Sequence, residues 1–368
     1  MHQVCSIRFI VIFRPLFFDT VNKKSSEVRV RKIIFGVFIT CISSLSWGGD
    51  LLKGLVAFED GDYAAALIEL EPLAKQGNPL AQHYLGFMYD EGMGVIQDDR
   101  IAVEWYTLAA KQGNEGAQYN LALMYDFGEG VPVDDQMAIK WYTLAAEQGH
   151  EGSQFNLALM YDEGEGVPID DQMAVKWYTL AAEQGHESAQ FNLGFMYANG
   201  EGVPVDGSMA VKWYTLAAEQ GNERAQYNLA LMFDQGKGVL QDDRIAVEWY
   251  TRAAEQGHAD SQFNLALMYD NGEGVPTDDQ MAVKWYTIAA EEGHGPAQVN
   301  LGMMYANGEG VLQDNLYAHM WFNIAASLGN ENAAENREII SKRMTSTEIA
   351  QAQQLARECV ANNYKFCR

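Results

Sequence analysis

The sequence predicts an all-α fold, a right-handed superhelical solenoid of antiparallel helix pairs with 36-residue repeats. Three observations support this prediction. Tryptophan recurs with a constant step at Trp105, Trp141, Trp177, Trp213, Trp249, Trp285 and Trp321. Glycine keeps the same step at Gly77, Gly113, Gly149, Gly185, Gly221, Gly257, Gly293 and Gly329. A pair of alanines follows each tryptophan, from Ala109 and Ala110 to Ala325 and Ala326. A fixed period of this length is typical of repeats that fold as one supersecondary unit and stack on their neighbours.

The second unit shows how each repeat is expected to fold. Asn114 can cap the first helix with its side-chain oxygen, and Gly128 and Pro132 end that helix. Asp134 is a good N-cap for the second helix, and Gly149 suits the position just after its end. Each unit is therefore expected to contain a helix of about 12 residues, a Gly-rich loop and a helix of about 14 residues.

Each helix has one apolar face that it cannot bury alone. Ala117, Leu121 and Tyr125 recur at helical spacing on the first helix, and Trp141 and Ala145 lie on the second. Stacking the units would join these faces into one continuous core, in which alanines allow close approach and aromatic rings fill the gaps. We therefore expect the aromatic residues to be core and not a platform for a stacked ligand.

Four segments are expected along the chain. Residues 1–48 are an N-terminal extension with a signal peptide, and residues 49–78 are a degenerate helix pair that caps the stack. Residues 79–330 contain seven complete units, and residues 331–368 form a helical cap at the other end. A solenoid needs such end units because its terminal repeats must present a polar outer face to water.

The N-terminal segment has the layout of a secretory signal around residues 28–47. Residues 28–32 are basic, residues 33–42 are apolar, and residues 43–48 are mostly small. The apolar run is shorter than the roughly 20 residues that a membrane-spanning helix needs. The sequence thus predicts a periplasmic or secreted protein without a stable membrane span in the mature chain. Residues 1–27 precede the signal, so translation is hypothesised to begin near Val28 or Val30.

Two cysteines lie near the C-terminus, and the other two fall in the signal region. Cys359 and Cys367 are eight positions apart, and in an exported protein such a pair is most simply a disulfide. A shared metal is the alternative, although a zinc site would need further ligands. Thr345 and Glu348 have the spacing of a capping box, which predicts a last helix running toward Cys359.

The charge of the chain limits the classes of partner that it is expected to bind. The net charge is −25, and residues 1–49 carry seven Lys or Arg against two acidic residues, which leaves −30 on residues 50–368. An acidic body repels phosphate backbones, so nucleic acid is not an expected partner. A basic protein or peptide would be attracted. The alternative is that the charge only keeps a long helical surface soluble.

The motifs of common catalytic and metal sites are missing from the sequence. It contains no Ser-x-x-Lys, Gly-x-Ser-x-Gly, phosphate loop or His-Glu-x-x-His. The acidic loop that starts at Asp162 does not fit a calcium site. A calcium loop needs oxygen ligands at its third and fifth positions, which here are Gly164 and Gly166. No enzyme activity, cofactor or metal is therefore predicted. An enzyme that acts on envelope material, by peptidoglycan or β-lactam hydrolysis, and a structural element of an envelope complex remain as alternatives.

Histidines occur at several junctions between units, at His150, His186, His258 and His294. They occupy the place that Asn114 and Asn222 take in other units, directly after the glycine, and are expected to cap the next helix. At least one repeat separates neighbouring members of this set, so they cannot easily share a metal. A pH-responsive seam is the alternative, since histidine titrates near neutrality.

The repeat resembles the Sel-one-like repeat family. The matching pattern is Ala-x-x-x-Leu-(Gly/Ala)-x-Met-Tyr-x-x-Gly-x-Gly-Val followed by Asp-x-x-x-Ala-x-x-Trp-Tyr-x-x-Ala-Ala-x-x-Gly, and it covers residues 79–330. The resemblance implies an α/α solenoid related to tetratricopeptide repeats, with residues 49–78 as a tetratricopeptide-like first unit. It also implies a scaffold or adaptor that binds proteins or peptides. These repeats contain no cysteine, unlike a secreted branch of the family in which each repeat has its own disulfide.

One candidate binding surface follows from this resemblance. The first helix of each pair lines the concave side of tetratricopeptide-like solenoids, and it carries an asparagine at Asn120, Asn156, Asn192, Asn228, Asn264 and Asn300. A row of amides could hold the backbone of an extended peptide. The alternative is that each asparagine bonds to a neighbouring helix inside the stack.

Overall fold

The computed structural model describes residues 48–365 and Cys367. The expected signal peptide and the N-terminal extension lie outside the described residues. Within them the chain is all-helical. The helices are α1 Gly48–Glu59, α2 Tyr63–Lys75, α3 Pro79–Glu91, α4 Asp99–Lys111, α5 Glu115–Phe127, α6 Asp135–Glu147, α7 Glu151–Glu163, α8 Asp171–Glu183, α9 Glu187–Asn199, α10 Gly207–Glu219, α11 Glu223–Gln235, α12 Asp243–Glu255, α13 Ala259–Asn271, α14 Asp279–Glu291, α15 Gly295–Asn307, α16 Asn315–Ser327, α17 Glu331–Ser341 and α18 Ser346–Ala361.

Helices α3 to α16 form seven units of two helices each, and every helix packs against the one before and the one after it. This confirms the predicted solenoid of helix pairs. Both helices of each unit have 13 residues, where the sequence predicted about 12 and 14. The difference arises because the second helix ends at Glu147, and Gln148 and Gly149 form its C-terminal turn.

The caps at the helix ends agree with the sequence prediction. Asn114 Oδ1 accepts a hydrogen bond from Ala117 N at 2.8 Å, and Asp134 Oδ1 accepts one from Met137 N. Gly128 ends the first helix in the left-handed conformation, with φ of 73°. These contacts satisfy backbone groups that the ends of a helix leave without partners.

Each loop between the two helices of a unit sits on the unit before it. A Cβ atom at Gly130 would lie 2.4 Å from Asp99 O, at the start of α4. Gly202, Gly274 and Gly310 make the same approach to Asp171, Asp243 and Asp279. The loops therefore follow one another along a single edge of the solenoid.

The core consists of alanines and aromatic rings, as predicted. Tyr142 is fully buried, and Trp141 is nearly so. The Nζ atom of Lys140 lies 4.9 Å from the centroid of the Trp141 ring, so an aliphatic stem and a cation cover the ring from outside. Trp105 and Trp249 are only half-buried. The aromatic residues thus bind neighbouring helices, and the described residues present no row of bare rings for a ligand.

The two ends of the stack are built differently. Helices α1 and α2 form a pair that packs on α3, with Gly54 closely against Leu70. At the other end α18 packs back on α16, and its predicted capping box at Thr345 and Glu348 is present. None of the described helices is both long and apolar enough to cross a membrane.

The C-terminal tail is held against the last units. The Cα atoms of Cys359 and Cys367 lie 5.0 Å apart, within the range for a disulfide. Lys365 pairs with Glu292, and the Tyr364 ring covers Gly293 at the end of α14. The tail therefore fixes the position of α18 relative to the last complete units.

Candidate protein-interaction surfaces

Consecutive first helices contact one another across the unit boundaries. A Cβ atom at Gly116 in α5 would lie 2.7 Å from the His83 ring of α3, and Asn120 Nδ2 lies 3.2 Å from His83 Nε2. The next boundary repeats this approach, with Gly152 of α7 against Tyr119. The first helices of neighbouring units therefore form one continuous face of the stack.

The six predicted asparagines all lie on these first helices, and each is half-buried. Asn156 Nδ2 donates to the Tyr142 hydroxyl at 3.0 Å, and Asn300 does the same to Tyr286. Asn192 and Asn228 bond to Tyr178 and Tyr214. The row is therefore anchored, at least in part, inside the stack.

The tyrosine links each asparagine to an aspartate. The Tyr142 hydroxyl donates to Asp126 Oδ2 at 2.9 Å while accepting from Asn156. The first unit has the corresponding bond from Tyr106 to Asp90 at 3.1 Å. Burial raises the pKa of Asp90 to about 6, and it also raises the pKa of Asp126. The Asp–Tyr–Asn group thus joins two first helices through the second helix between them.

Two units lack the aspartate of this group. Ala198 stands where the other units have the aspartate, and Tyr214 keeps its bond to Asn228. In the last unit Ala306 packs with Phe322, so that both the carboxyl and the hydroxyl are replaced by apolar groups. Because the carboxyl and the hydroxyl are replaced together, neither group is left buried without a hydrogen bond.

A row of buried glutamines is a feature that sequence reasoning missed. Gln154 Nε2 donates to Ala146 O at 3.1 Å, and its Oε1 accepts from Gln184 Nε2 at 2.8 Å. Gln184 also donates to Gly149 O. The same side chains recur at Gln82, Gln118, Gln190, Gln226, Gln262 and Gln298.

The repeat itself contained the signal for this row. A glutamine at the fourth position of each first helix has no reason to recur seven times on the buried side of a helix unless its amide has fixed partners. The partner 30 residues later is also glutamine, except at Glu292 and Leu328. Accordingly, Gln262 Oε1 and Gln298 Oε1 have no partner within the described residues.

The junction histidines cap helices, as predicted. His150 Nδ1 accepts from Ser153 N at 3.1 Å, and His258 Nδ1 accepts from Ser261 N at 3.2 Å. The His150 ring also packs on Tyr119 of the preceding first helix, with centroids 4.5 Å apart. Within the described residues no three His, Cys, Asp or Glu side chains are grouped to hold a metal ion.

An apolar row runs beside the asparagines on the first helices. Its members are Phe87, Leu123, Leu159, Phe195, Leu231, Leu267 and Met303. Most are half-buried, and Met303 is 40% exposed. We define this row together with the six asparagines as the inner face. It combines apolar contact area with amide groups, which is the usual composition of a protein-binding surface.

The family follows from a comparison with protein-family models. The model for the Sel1 repeat matches residues 79–114, 116–150, 152–186, 187–222, 223–258, 259–294 and 295–330. The chain belongs to the Sel1 repeat family. Proteins built from these tetratricopeptide-like Sel1 repeats are generally scaffolds for protein interactions and generally not enzymes.

Solved structures of other Sel1 repeat proteins are similar to this chain. A Sel1 repeat protein from Oxalobacter formigenes is 33% identical, with 65% of this chain and 96% of that chain covered and a TM-score of 0.56. The protective antigen c5321 of uropathogenic Escherichia coli is 32% identical over 87% of this chain and 85% of that chain, with a TM-score of 0.46. A search of curated proteins found no match.

The histidine caps of the Sel1 repeats predict a pH-dependent stability. Burial lowers the pKa of His150 to about 4 and also lowers the pKa of His258, because removal from water disfavours the charged ring. The neutral ring is also the form that accepts the capping bond. As pH falls below about 6.5, these histidines become protonated in the unfolded chain, whereas in the folded chain they stay neutral to a lower pH. The free energy of unfolding should therefore decrease between pH 6.5 and 4, and these caps contribute fully only above that window.

A variant with His150→Asn and His258→Asn isolates this effect, since Asn114 and Asn222 already cap other units. Urea unfolding at pH 7 and pH 5 should show a loss for the wild type that exceeds the loss for the variant by roughly 1–2 kcal/mol. The comparison cancels the opposite contribution of Asp90, whose raised pKa favours the folded state at low pH. Equal losses would show that the histidines titrate alike in both states.

Proposed function

We propose that this chain is an exported protein-interaction scaffold that binds a partner protein or peptide on its inner face. The observation that supports this proposal is the inner face itself, where an apolar side chain recurs at a constant step in all seven units and an asparagine recurs in six of them. A repeated surface of this kind suits an extended partner, which can use the same contact once per unit. The net charge of −30 on residues 50–368 favours a basic partner.

The asparagines supply the test of the inner face. With a captured partner in hand, Asn156→Ala combined with Asn192→Ala should weaken binding about tenfold, since two amides that contact the partner would be lost. The melting temperature should stay near that of the wild type. The matched control combines Asp126→Ala with Tyr142→Phe, which removes the internal partner of Asn156 and leaves the amide in place. Ala306 and Phe322 show that a unit accepts this pair of residues.

The two roles of the asparagines predict different results. If they hold the partner, the asparagine variant loses affinity and the variant with Asp126→Ala and Tyr142→Phe retains it. If they only fix the stack, the asparagine variant melts well below the wild type while the folded fraction binds normally. That second result would contradict a binding role for the row.

Export and the disulfide are proposed on separate grounds. The basic and apolar segments at residues 28–42 support a signal peptide, and the spacing of Cys359 and Cys367 supports a bond between them.

The intact mass of the protein, purified from the cells that make it, tests both proposals. The expected mass is that of a chain that starts near Trp47 or Gly48 and has lost two hydrogens to the disulfide. A full-length, reduced chain would contradict export and the disulfide and leave the fold unaffected.

A further inference from the structure

The loops between the two helices of each Sel1 repeat carry exposed apolar side chains. The exposed fractions are 89% for Ile96, 61% for Val133, 61% for Ile169, 67% for Val205, 92% for Leu240 and 91% for Leu312. Ile96, Leu240 and Leu312 share one position of the repeat, and Val133, Ile169 and Val205 share the next. We call this row the loop ridge. Single exposed apolar residues are ordinary on a protein surface, whereas a row of them marks an interaction site.

The loops hold these side chains in fixed positions. A Cβ atom at Gly128 would lie 2.8 Å from Val133 Cγ2, so the valine packs across the glycine that ends the helix. The backbone of Asp134 donates to Tyr125 O at 2.9 Å, which closes the loop. Gly164 with Ile169 and Gly200 with Val205 repeat the geometry. A surface that is already ordered loses little entropy when it binds.

The ridge is continuous because each loop rests on the preceding unit. Gly166 lies against Asp135, and the Gln136 side chain donates to Gly166 O. Successive packed helices are about 10 Å apart, so the exposed apolar side chains of neighbouring loops, which we call the apolar tips, are separated by about that distance. A helical peptide of about 20 residues is roughly 30 Å long and would pass over three tips.

Acidic side chains surround the apolar tips. In units two to four the segments 128–136, 164–172 and 200–208 contain Glu or Asp at two or three positions and no Lys or Arg. Glu129 and Glu165 are exposed, as are Asp134 and Asp170. The ridge therefore offers apolar contacts inside a negative field, which attracts cations and repels anionic lipid and nucleic acid.

We infer that the loop ridge is a second binding surface, separate from the inner face, for a cationic amphipathic segment of a partner protein. Apolar side chains of that segment would lie on Val133, Ile169 and Val205, and its Lys or Arg side chains would face the flanking carboxylates. This charge complementarity selects a basic segment over an acidic or uncharged one.

The test uses a fluorescent peptide of about 20 residues, composed of Lys and Leu with the leucines on one helical face. The variant is Val133→Thr, Ile169→Thr and Val205→Thr. Thr277 already stands at this position in unit six, where its Cγ2 packs on Gly272 as Val133 packs on Gly128, so the variant should fold normally. Binding measured by fluorescence anisotropy should weaken about tenfold or more, and raising the salt concentration should weaken it further.

Three controls make the result specific. The variant Leu144→Gln, Leu180→Gln and Leu216→Gln removes three exposed leucines from the second helices, where Arg252 shows that a polar residue is tolerated. It should bind the peptide as the wild type does, and so should the Asn156→Ala and Asn192→Ala variant. A peptide with serine in place of leucine should bind much more weakly than the original.

The inference is overturned if the threonine variant binds the peptide as tightly as the wild type. It is also overturned if the leucine variant loses as much affinity, or if the serine peptide binds equally well, because binding would then be unspecific or purely electrostatic. None of these results bears on the inner face, whose own test measures how the asparagine variant binds the captured partner.

Discussion

Replacing Gly130 by alanine should destabilise the protein by more than about 3 kcal/mol, because the new methyl group has no space. Its Cβ would lie 2.4 Å from Asp99 O and 2.5 Å from Asp99 C, which belong to the helix of the preceding unit. Backbone atoms at a helix start cannot move aside without breaking the helix. The loop also has φ of 70° at this position, which strains any residue with a side chain.

Gly149→Ala is the matched control for this prediction. Its φ is 99°, and no atom lies within 4 Å of the added Cβ. The substitution should cost only about 1–2 kcal/mol, the strain of the left-handed conformation alone. Urea unfolding followed by circular dichroism compares the two variants. Equal losses would show that the loops do not rest tightly on the preceding unit, and the continuous loop ridge would lose its basis.

The second large effect is expected at the glutamine row. Gln154→Met keeps the volume of the side chain and removes the donor to Ala146 O and the acceptor for Gln184. The Ala146 carbonyl would keep only its backbone bond from Gly149 N, and Gln184 would lose its buried acceptor, so the variant should lose about 1–2 kcal/mol of unfolding free energy. Proteolysis should also begin near this unit, since stability in a solenoid is a sum of local terms.

Gln184→Leu separates the buried end of this pair from its exposed end. The substitution copies Leu328, the residue at this position in the last complete unit. Gln154 would keep its bond to Ala146, and Gln184 is exposed to water, so a loss of about 1 kcal/mol or less is expected. A loss as large as that of Gln154→Met would show that the bond between the two glutamines, and not the bond to the backbone, stabilises the junction.

Local chemistry made much of the fold predictable from the sequence. Asn114, Asp134 and Gly128 lie at helix ends because their side chain or lack of one suits those positions, and the 36-residue step placed every other copy. The same reasoning identified the histidine caps. These features depend on residues within one helix turn of each other.

Contacts between distant residues were not predictable in the same way. The bonds of Tyr142 reach Asp126 and Asn156, which are 16 and 14 residues away in other helices. The direction of each side chain across the stack decides them, and helical periodicity does not give it. The exposure of Val133 and Leu240 depends likewise on the path of the loop. Glycine and proline indicate that a loop is present but do not determine its conformation. The surfaces of the candidate sites therefore required the structure.

Site-specific photo-cross-linking in the cells that make the protein tests the central claim most directly. A photoreactive phenylalanine replaces Phe87 or Met303 on the inner face, and Leu108 or Leu144 on the second helices serves as the control position. We expect ultraviolet-dependent adducts with the same partner protein from both inner positions and none from the control positions. Adducts at Leu108 and Leu144 without any at Phe87 and Met303, or no adduct at all, would contradict a scaffold that binds its partner on the inner face.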